Sequence, residues 1–209
     1  MHYEILDKKR KNILPKLATW KNEYVLVGGT ALALQMNHRD SIDFDFFTKN
    51  DIDTQKLYEQ IAQVFEGVRV EKIQEEENTL SVLIDNDIRL SFMTYPYAFL
   101  QEPEIDDYLS VASVEDIACM KLSAITGRSS NKDYIDLYYI LHDIPLEDLL
   151  KSAEKKFPEF NENLVLKSLV YFDDIIDEPV KFQGGMEIDK NEMQDFLKKK
   201  VKEYSLERS

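Results

Sequence analysis

Apolar positions Ile5, Leu6, Ile13, Leu14, Leu17 and Trp20 recur at near-helical spacing over residues 5–21, with Pro15 inside the run. That spacing predicts one kinked helix or two short ones. The pattern then changes. Tyr24, Val25, Leu26 and Val27 form a short β-rich run that Gly28 and Gly29 end, and the helix-forming stretch TALALQM at 30–36 begins at the glycines, so strand, tight turn and helix follow one another. After a polar loop at 37–41, residues 42–47 (IDFDFF) alternate with the period of two of a strand. Its alternation sends Ile42, Phe44 and Phe46 toward the core and leaves Asp43 and Asp45 on the open face. A helix over 54–65 comes next, followed by strands over 68–74 and 79–84, a turn at Asp85, Asn86 and Asp87, and a strand over 88–94.

Pro96 and Pro103 bracket an irregular connection, after which helical patterns dominate. Ser113, Val114, Glu115 and Asp116 read as a capping box opening a helix to about 126, which Gly127 ends. Asn131 is the expected N-cap of a helix over 132–141, Pro145 precedes one over 146–155, and two more span 163–172 and, capped by Asp189, 190–204. The expected class is α+β: a mixed sheet with helices over residues 1–110 and a helical region over 111–209 packed on that core.

With 209 residues the chain can bury a sizeable core. Its single cysteine, Cys119, excludes a disulfide framework. No apolar run approaches the roughly 18 residues that span a bilayer, and the N-terminus lacks a secretory core, so a soluble cytoplasmic protein without membrane contact is expected. Against 26 Lys and Arg stand 40 Asp and Glu, a net charge of −14, which repels polyanions over about 8 Å at physiological salt. General nucleic-acid coating is thereby disfavoured, while divalent cations or a basic partner suit the excess. The basic runs Lys8 to Lys11 and Lys198 to Lys200 read as solvated helix faces.

Two features carry candidate chemistry. Asp43 and Asp45, two apart on a strand, leave the same face with Cα atoms roughly 6.5 Å apart, close enough for both carboxylates to converge on Mg²⁺. An acidic pair on a solvated strand face is the plain alternative. The Gly28 and Gly29 turn lets backbone N–H groups approach phosphate oxygens where a helix N-terminus favours negative charge; the alternative is a turn that needs glycine only for its backbone angles. Together, a phosphate turn and a carboxylate pair on the next strand are the parts that hold a nucleoside triphosphate with its Mg²⁺.

The stretch Gly28 to Leu34 (GGTALAL), then His38 to Phe47 (HRDSIDFDFF), resembles the core of the AbiEii/AbiGii-type nucleotidyltransferase toxins. Residues 113–125 (SVEDIACMKLSAI), followed by Gly127, Arg128 and Lys132 to Tyr138 (KDYIDLY), resemble that family's downstream helical motif. The resemblance implies a DNA polymerase β-like nucleotidyltransferase fold and Mg²⁺- or Mn²⁺-dependent transfer of a nucleotidyl group from an NTP to an acceptor hydroxyl, with tRNA an acceptor for some members. It also implies the role of toxin beside a cognate antitoxin. Asp43 and Asp45 would be the metal ligands, Gly28, Gly29 and Thr30 the phosphate turn, Lys121 a triphosphate contact and Asp136 an acid near the site.

Arg39 and Ser41, beside the metal strand, contact phosphate or close the loop. Arg128 offers a forked donor pair. Lys132 and Asp136 have the spacing of an ordinary i,i+4 pair, and His38 reads as structural. Polymerase β-like enzymes place a third carboxylate on a neighbouring strand, where residues 88–93 (IRLSFM) put Ser91. A member that binds nucleotide or a partner protein without turnover is therefore the alternative to an active transferase, and an interaction module in which these residues are surface features is a third reading.

Overall fold

The structure is a computed structural model that describes residues 1–128 and 130–207. The chain divides into two compact units, Met1–Ser113 and Val114–Ser209.

The first unit opens with α1 (Lys8–Leu17), capped by Asp7, whose carboxylate accepts the N–H of Arg10. Pro15 lies inside this single helix, which passes into a 3₁₀ turn at Ala18–Trp20. Then follow β1 (Val25–Val27), α2 (Gly28–Met36), β2 (Phe44–Thr48), α3 (Thr54–Val64), β3 (Val70–Glu76), β4 (Thr79–Ile84), β5 (Ile88–Thr94), β6 (Glu104–Ile105) and β7 (Ser110–Val111). The seven strands make one mixed sheet in the order β3-β4-β5-β2-β1-β7-β6. β1 runs antiparallel to β2, while β2 and β5 are parallel.

Alternation along these strands builds the core: Leu26, Phe44, Phe46, Leu80, Val82, Leu90 and Phe92 are all buried. Trp20 and Tyr24 meet the ring of Phe92 edge-on, and Phe46 stacks on it at 5.0 Å, geometries that aromatic quadrupoles favour. The expected strand over 42–47 is shifted. β2 begins at Phe44, and Ile42, assigned to the core, is 53% exposed. The cause is a tertiary contact: Arg10 Nε, from α1, donates to the Ile42 carbonyl at 2.8 Å, which holds this peptide in the loop ahead of the strand. The two-residue strands β6 and β7 are too short for any periodicity to announce them.

The second unit is helical: α4 (Val114–Ala124), α5 (Asn131–Asp143), α6 (Leu146–Lys156), α7 (Glu162–Val170) and α8 (Lys190–Glu207). α4 packs on α5 and α6, and α8 on α5, α6 and α7. Asp189 accepts the N–H of Asn191 at 2.8 Å, as its expected capping role requires. Asn131 is not the cap of α5 but its first residue; its side chain is taken up by the backbone of Glu178 through bonds of 2.8 and 3.1 Å. No helix among the described residues is long and apolar enough to cross a membrane.

Candidate active site

β2 presents Asp45 and Phe47, half-buried, on the face opposite Phe44, Phe46 and Thr48. Asp45 stands in register between Val27 of β1 and Ser91 of β5. Gly28, immediately after Val27, has φ 71°, and a Cβ there would come 3.0 Å from Asp45 Oδ2. Both facts require glycine, one for the left-handed backbone and one for the close approach of the carboxylate. At Gly29 a Cβ would fall 2.7 Å from Arg39 Nη2 and 3.0 Å from Ser41 Oγ. The Arg39 guanidinium, almost wholly buried, therefore lies over the first turn of α2, and its Nη1 donates to the Asp40 carbonyl at 3.0 Å. Val27 occupies the N-cap position and offers no side-chain acceptor to the first-turn N–H groups, an arrangement suited to an anion.

The loop between α2 and β2 is tied to the same turn. Thr30, buried in α2, is hydrogen-bonded to Ser41 Oγ at 2.9 Å and donates to the carbonyl of Asp43. Asp43 itself is exposed, one residue ahead of β2. His38 is fully buried, as its structural reading expects. The structure thus brings together Gly28, Gly29, Thr30, Arg39, Ser41 and Asp45, with the Asp43 backbone held beside them.

The Asp43 and Asp45 pair suits a hard cation. Mg²⁺ is commonly bound by one or two carboxylates, with substrate phosphates and water completing the shell. Among the described residues no group of three or more His, Cys, Asp and Glu is placed to hold a metal. At the place of a third acid, the Ser91 hydroxyl is instead hydrogen-bonded to Ser81 Oγ at 3.1 Å and receives Arg89 Nε at 3.2 Å.

In the helical unit Lys121, Arg128 and Asp136 also meet. Lys121 Nζ on α4 lies 2.9 Å from Asp133 Oδ1 and 2.5 Å from Asp136 Oδ2 on α5. Arg128 Nε is 3.0 Å from Asp133 Oδ2. Lys121, Asp133 and Asp136 are buried and need partners, while the Arg128 side chain, 68% exposed, reaches Asp133 from the surface. The i,i+4 alternative for Lys132 and Asp136 is overturned: Asp136, fully buried, pairs with Lys121, while Lys132 turns outward to Glu178 at 2.6 Å.

A family model described as the nucleotidyl transferase AbiEii toxin of type IV toxin–antitoxin systems matches residues 13–206. The chain belongs to the AbiEii nucleotidyltransferase toxin family. An uncharacterized protein of Aquifex aeolicus (strain VF5) is 37% identical to this AbiEii-family chain over 207 residues, covering 95% of it and 97% of the relative. Two solved structures share the fold. MenT4, the nucleotidyltransferase toxin Rv2826c of Mycobacterium tuberculosis H37Rv, superposes with a TM-score of 0.61 at 15% identity, over 92% of this chain and 80% of that one. JHP933 of Helicobacter pylori gives 0.56 at 18% identity, over 99% and 92%.

Three residues of the AbiEii-family protein escaped the sequence reading. Arg10, placed on a solvated basic face, is buried at 3% exposure; its signal was the helical spacing to Ile13, Leu14 and Leu17, which are buried with it. Asp133 shares a helix face with Asp136, three residues on, and that spacing carried its signal. Arg89 shares a strand face with Ser91 by two-residue alternation, but nothing local marks that face, because only sheet register sets Ser91 beside Asp45.

Proposed function

We propose that this protein is a Mg²⁺-dependent nucleotidyltransferase, moving a nucleotidyl group from an NTP to an acceptor hydroxyl such as that of a tRNA end, and that it is the toxin partner of a cognate antitoxin. The observation that carries the reading is the Asp45 carboxylate set against Gly28 at the start of α2. A triphosphate on that turn has its β- and γ-phosphates against the α2 N–H groups and the Arg39 guanidinium, and its α-phosphate beside Asp43 and Asp45. Held by those two carboxylates, Mg²⁺, or Mn²⁺ in its place, would neutralise phosphate charge and acidify the acceptor hydroxyl.

The acceptor hydroxyl gives up its proton to solvent water and its oxygen attacks the α-phosphorus, the new P–O bond forming as the bond to the β-phosphate breaks and pyrophosphate leaves. Thr30 and Ser41 fix the loop that carries Asp43, which is positioning of the kind such transfers depend on. Lys121, Arg128 and Asp136 enter as a triphosphate contact, a forked donor and an acid; Lys121 must then exchange a carboxylate partner for phosphate. Ser91 favours the second reading, nucleotide binding without turnover, because a serine hydroxyl is no base near neutral pH.

The test is incubation of the protein with each α-labelled NTP, Mg²⁺ or Mn²⁺, and total RNA plus cell extract, beside Asp43→Ala and Asp45→Ala. Label on an acceptor that requires both carboxylates supports the transferase. NTP binding without label in any combination supports the second reading, and wild-type protein that binds no NTP sinks both.

A further inference from the structure

The sheet order sets β2 between β1 and β5, so Asp45 has the glycine turn on one flank and Ser91 on the other. In-line displacement at phosphorus puts the leaving and entering groups on opposite sides. With pyrophosphate leaving over the glycine turn, the acceptor enters over β5. Arg89, two residues before Ser91, shares its face of that strand. Its Nε is fixed on Ser91 Oγ at 3.2 Å, and Ser91 is steadied in turn by Ser81 at 3.1 Å.

Arg89 is exposed, and among the described residues its guanidinium has no carboxylate partner and its terminal amino groups make no hydrogen bond. In a chain with 40 acidic residues to 26 basic ones, that is a cation held open on the strand face that Ser91 shares, one strand over from Asp45. An incoming phosphate meets repulsion from Asp43 and Asp45, and a guanidinium edge is the donor pair that offsets it with two parallel N–H···O bonds.

We propose that Arg89, oriented by Ser91, binds a phosphate ester carried by the acceptor and so restricts the reaction to phosphorylated acceptors. The source is a nucleic-acid end or a phosphorylated small molecule, which share this chemistry. The inference rests on the transferase reading for the side from which the acceptor comes.

Wild-type, Arg89→Ala and Arg89→Lys proteins are titrated with a labelled single-stranded RNA oligomer, with AMP, and with Mg²⁺ and NTP; melting temperatures verify folding. Arg89→Ala should weaken binding of the oligomer, of AMP or of both by about tenfold or more, and leave NTP affinity within about twofold. Arg89→Lys should recover part of the loss, since it restores charge without the fork. A loss for the oligomer alone identifies a nucleic-acid end, and a loss for AMP as well a phosphorylated small molecule. In turnover, Arg89→Ala should raise the acceptor KM and spare the NTP KM. Unchanged affinity for both probes, a loss confined to NTP, or wild-type protein that binds neither probe overturns the proposal. Wild-type protein that binds no NTP yet shows Arg89-dependent oligomer affinity fails the transferase reading and keeps the phosphate site.

Discussion

Arg10 Nε donates to the carbonyl of Ile42 at 2.8 Å, the peptide immediately ahead of Asp43. The same guanidinium reaches Asp7 through Nη1 at 2.5 Å and the Asp87 carbonyl through Nη2 at 3.2 Å, so one buried side chain joins α1, the loop before β2 and the turn before β5. Arg10→Met should lower stability by about 1–3 kcal/mol, the loss of charge-assisted hydrogen bonds made by a buried guanidinium, and should weaken Mg²⁺-dependent NTP binding by releasing Asp43. Urea unfolding and an NTP titration measure the two effects; a variant unchanged in both removes Arg10 from the support of the site.

The same anchor has a pH signature. Burial pushes the Asp7 carboxyl up, but hydrogen bonds from Arg10 outweigh it and hold the group below the usual carboxylate range. A hydrogen bond from Lys9, with the nearby charge of Arg10, does the same for Asp87. A depressed carboxylate contributes stability that is present above its unfolded pKa and lost as pH falls through its folded value. The destabilisation by Arg10→Met should therefore shrink on acidification through that range. Unfolding midpoints of both proteins across acidic pH measure it, and a pH-independent difference contradicts the assignment.

Lys121, with a side chain 7% exposed, faces Asp133 and Asp136 at 3% and 0%. Lys121→Met alone should cost about 3–5 kcal/mol, since it strands buried negative charge. Combined with Asp136→Leu it should cost clearly less than the sum of the single changes. A double-mutant cycle by denaturation measures the coupling, and strict additivity would mean that the two charges do not interact in solution.

The two glycines should fail differently. Gly28→Ala forces a positive φ of 71° on an alanine, at a cost of about 1 kcal/mol in stability, and sets its methyl 3.0 Å from Asp45 Oδ2, so stability falls together with NTP affinity. Gly29→Ala drives a methyl to 2.7 Å from Arg39 Nη2, so it should displace the guanidinium and reduce NTP affinity more than it reduces stability. Paired melting and NTP-binding measurements separate the two; full NTP affinity in Gly29→Ala would exclude this turn as the phosphate contact.

Burial pushes the Cys119 thiol up to about 12, and the residue is fully inaccessible. Because the thiolate is the reactive form, a thiol reagent near pH 8 should label the native protein far more slowly than the urea-unfolded chain. Equal rates would show that this part of the helical unit opens readily.

Local signals in the sequence determined much of this protein. The change from helical to two-residue periodicity at Tyr24, the glycine pair and the alternation from Phe44 onward announced α2 and the body of β2, because each is written within a few residues, while Ile42 and Asp43 fell in the loop ahead of the strand. The two long motifs, taken together, marked the family. What only the tertiary structure decided depends on pairings between distant segments. Ser91 flanks Asp45 because β5 lies parallel to β2, Arg10 reaches Ile42 across 32 positions, and Asp136 chooses Lys121 over Lys132 because it faces the interior. No local periodicity encodes such choices; they follow from which face each element buries and which buried charge then needs a partner.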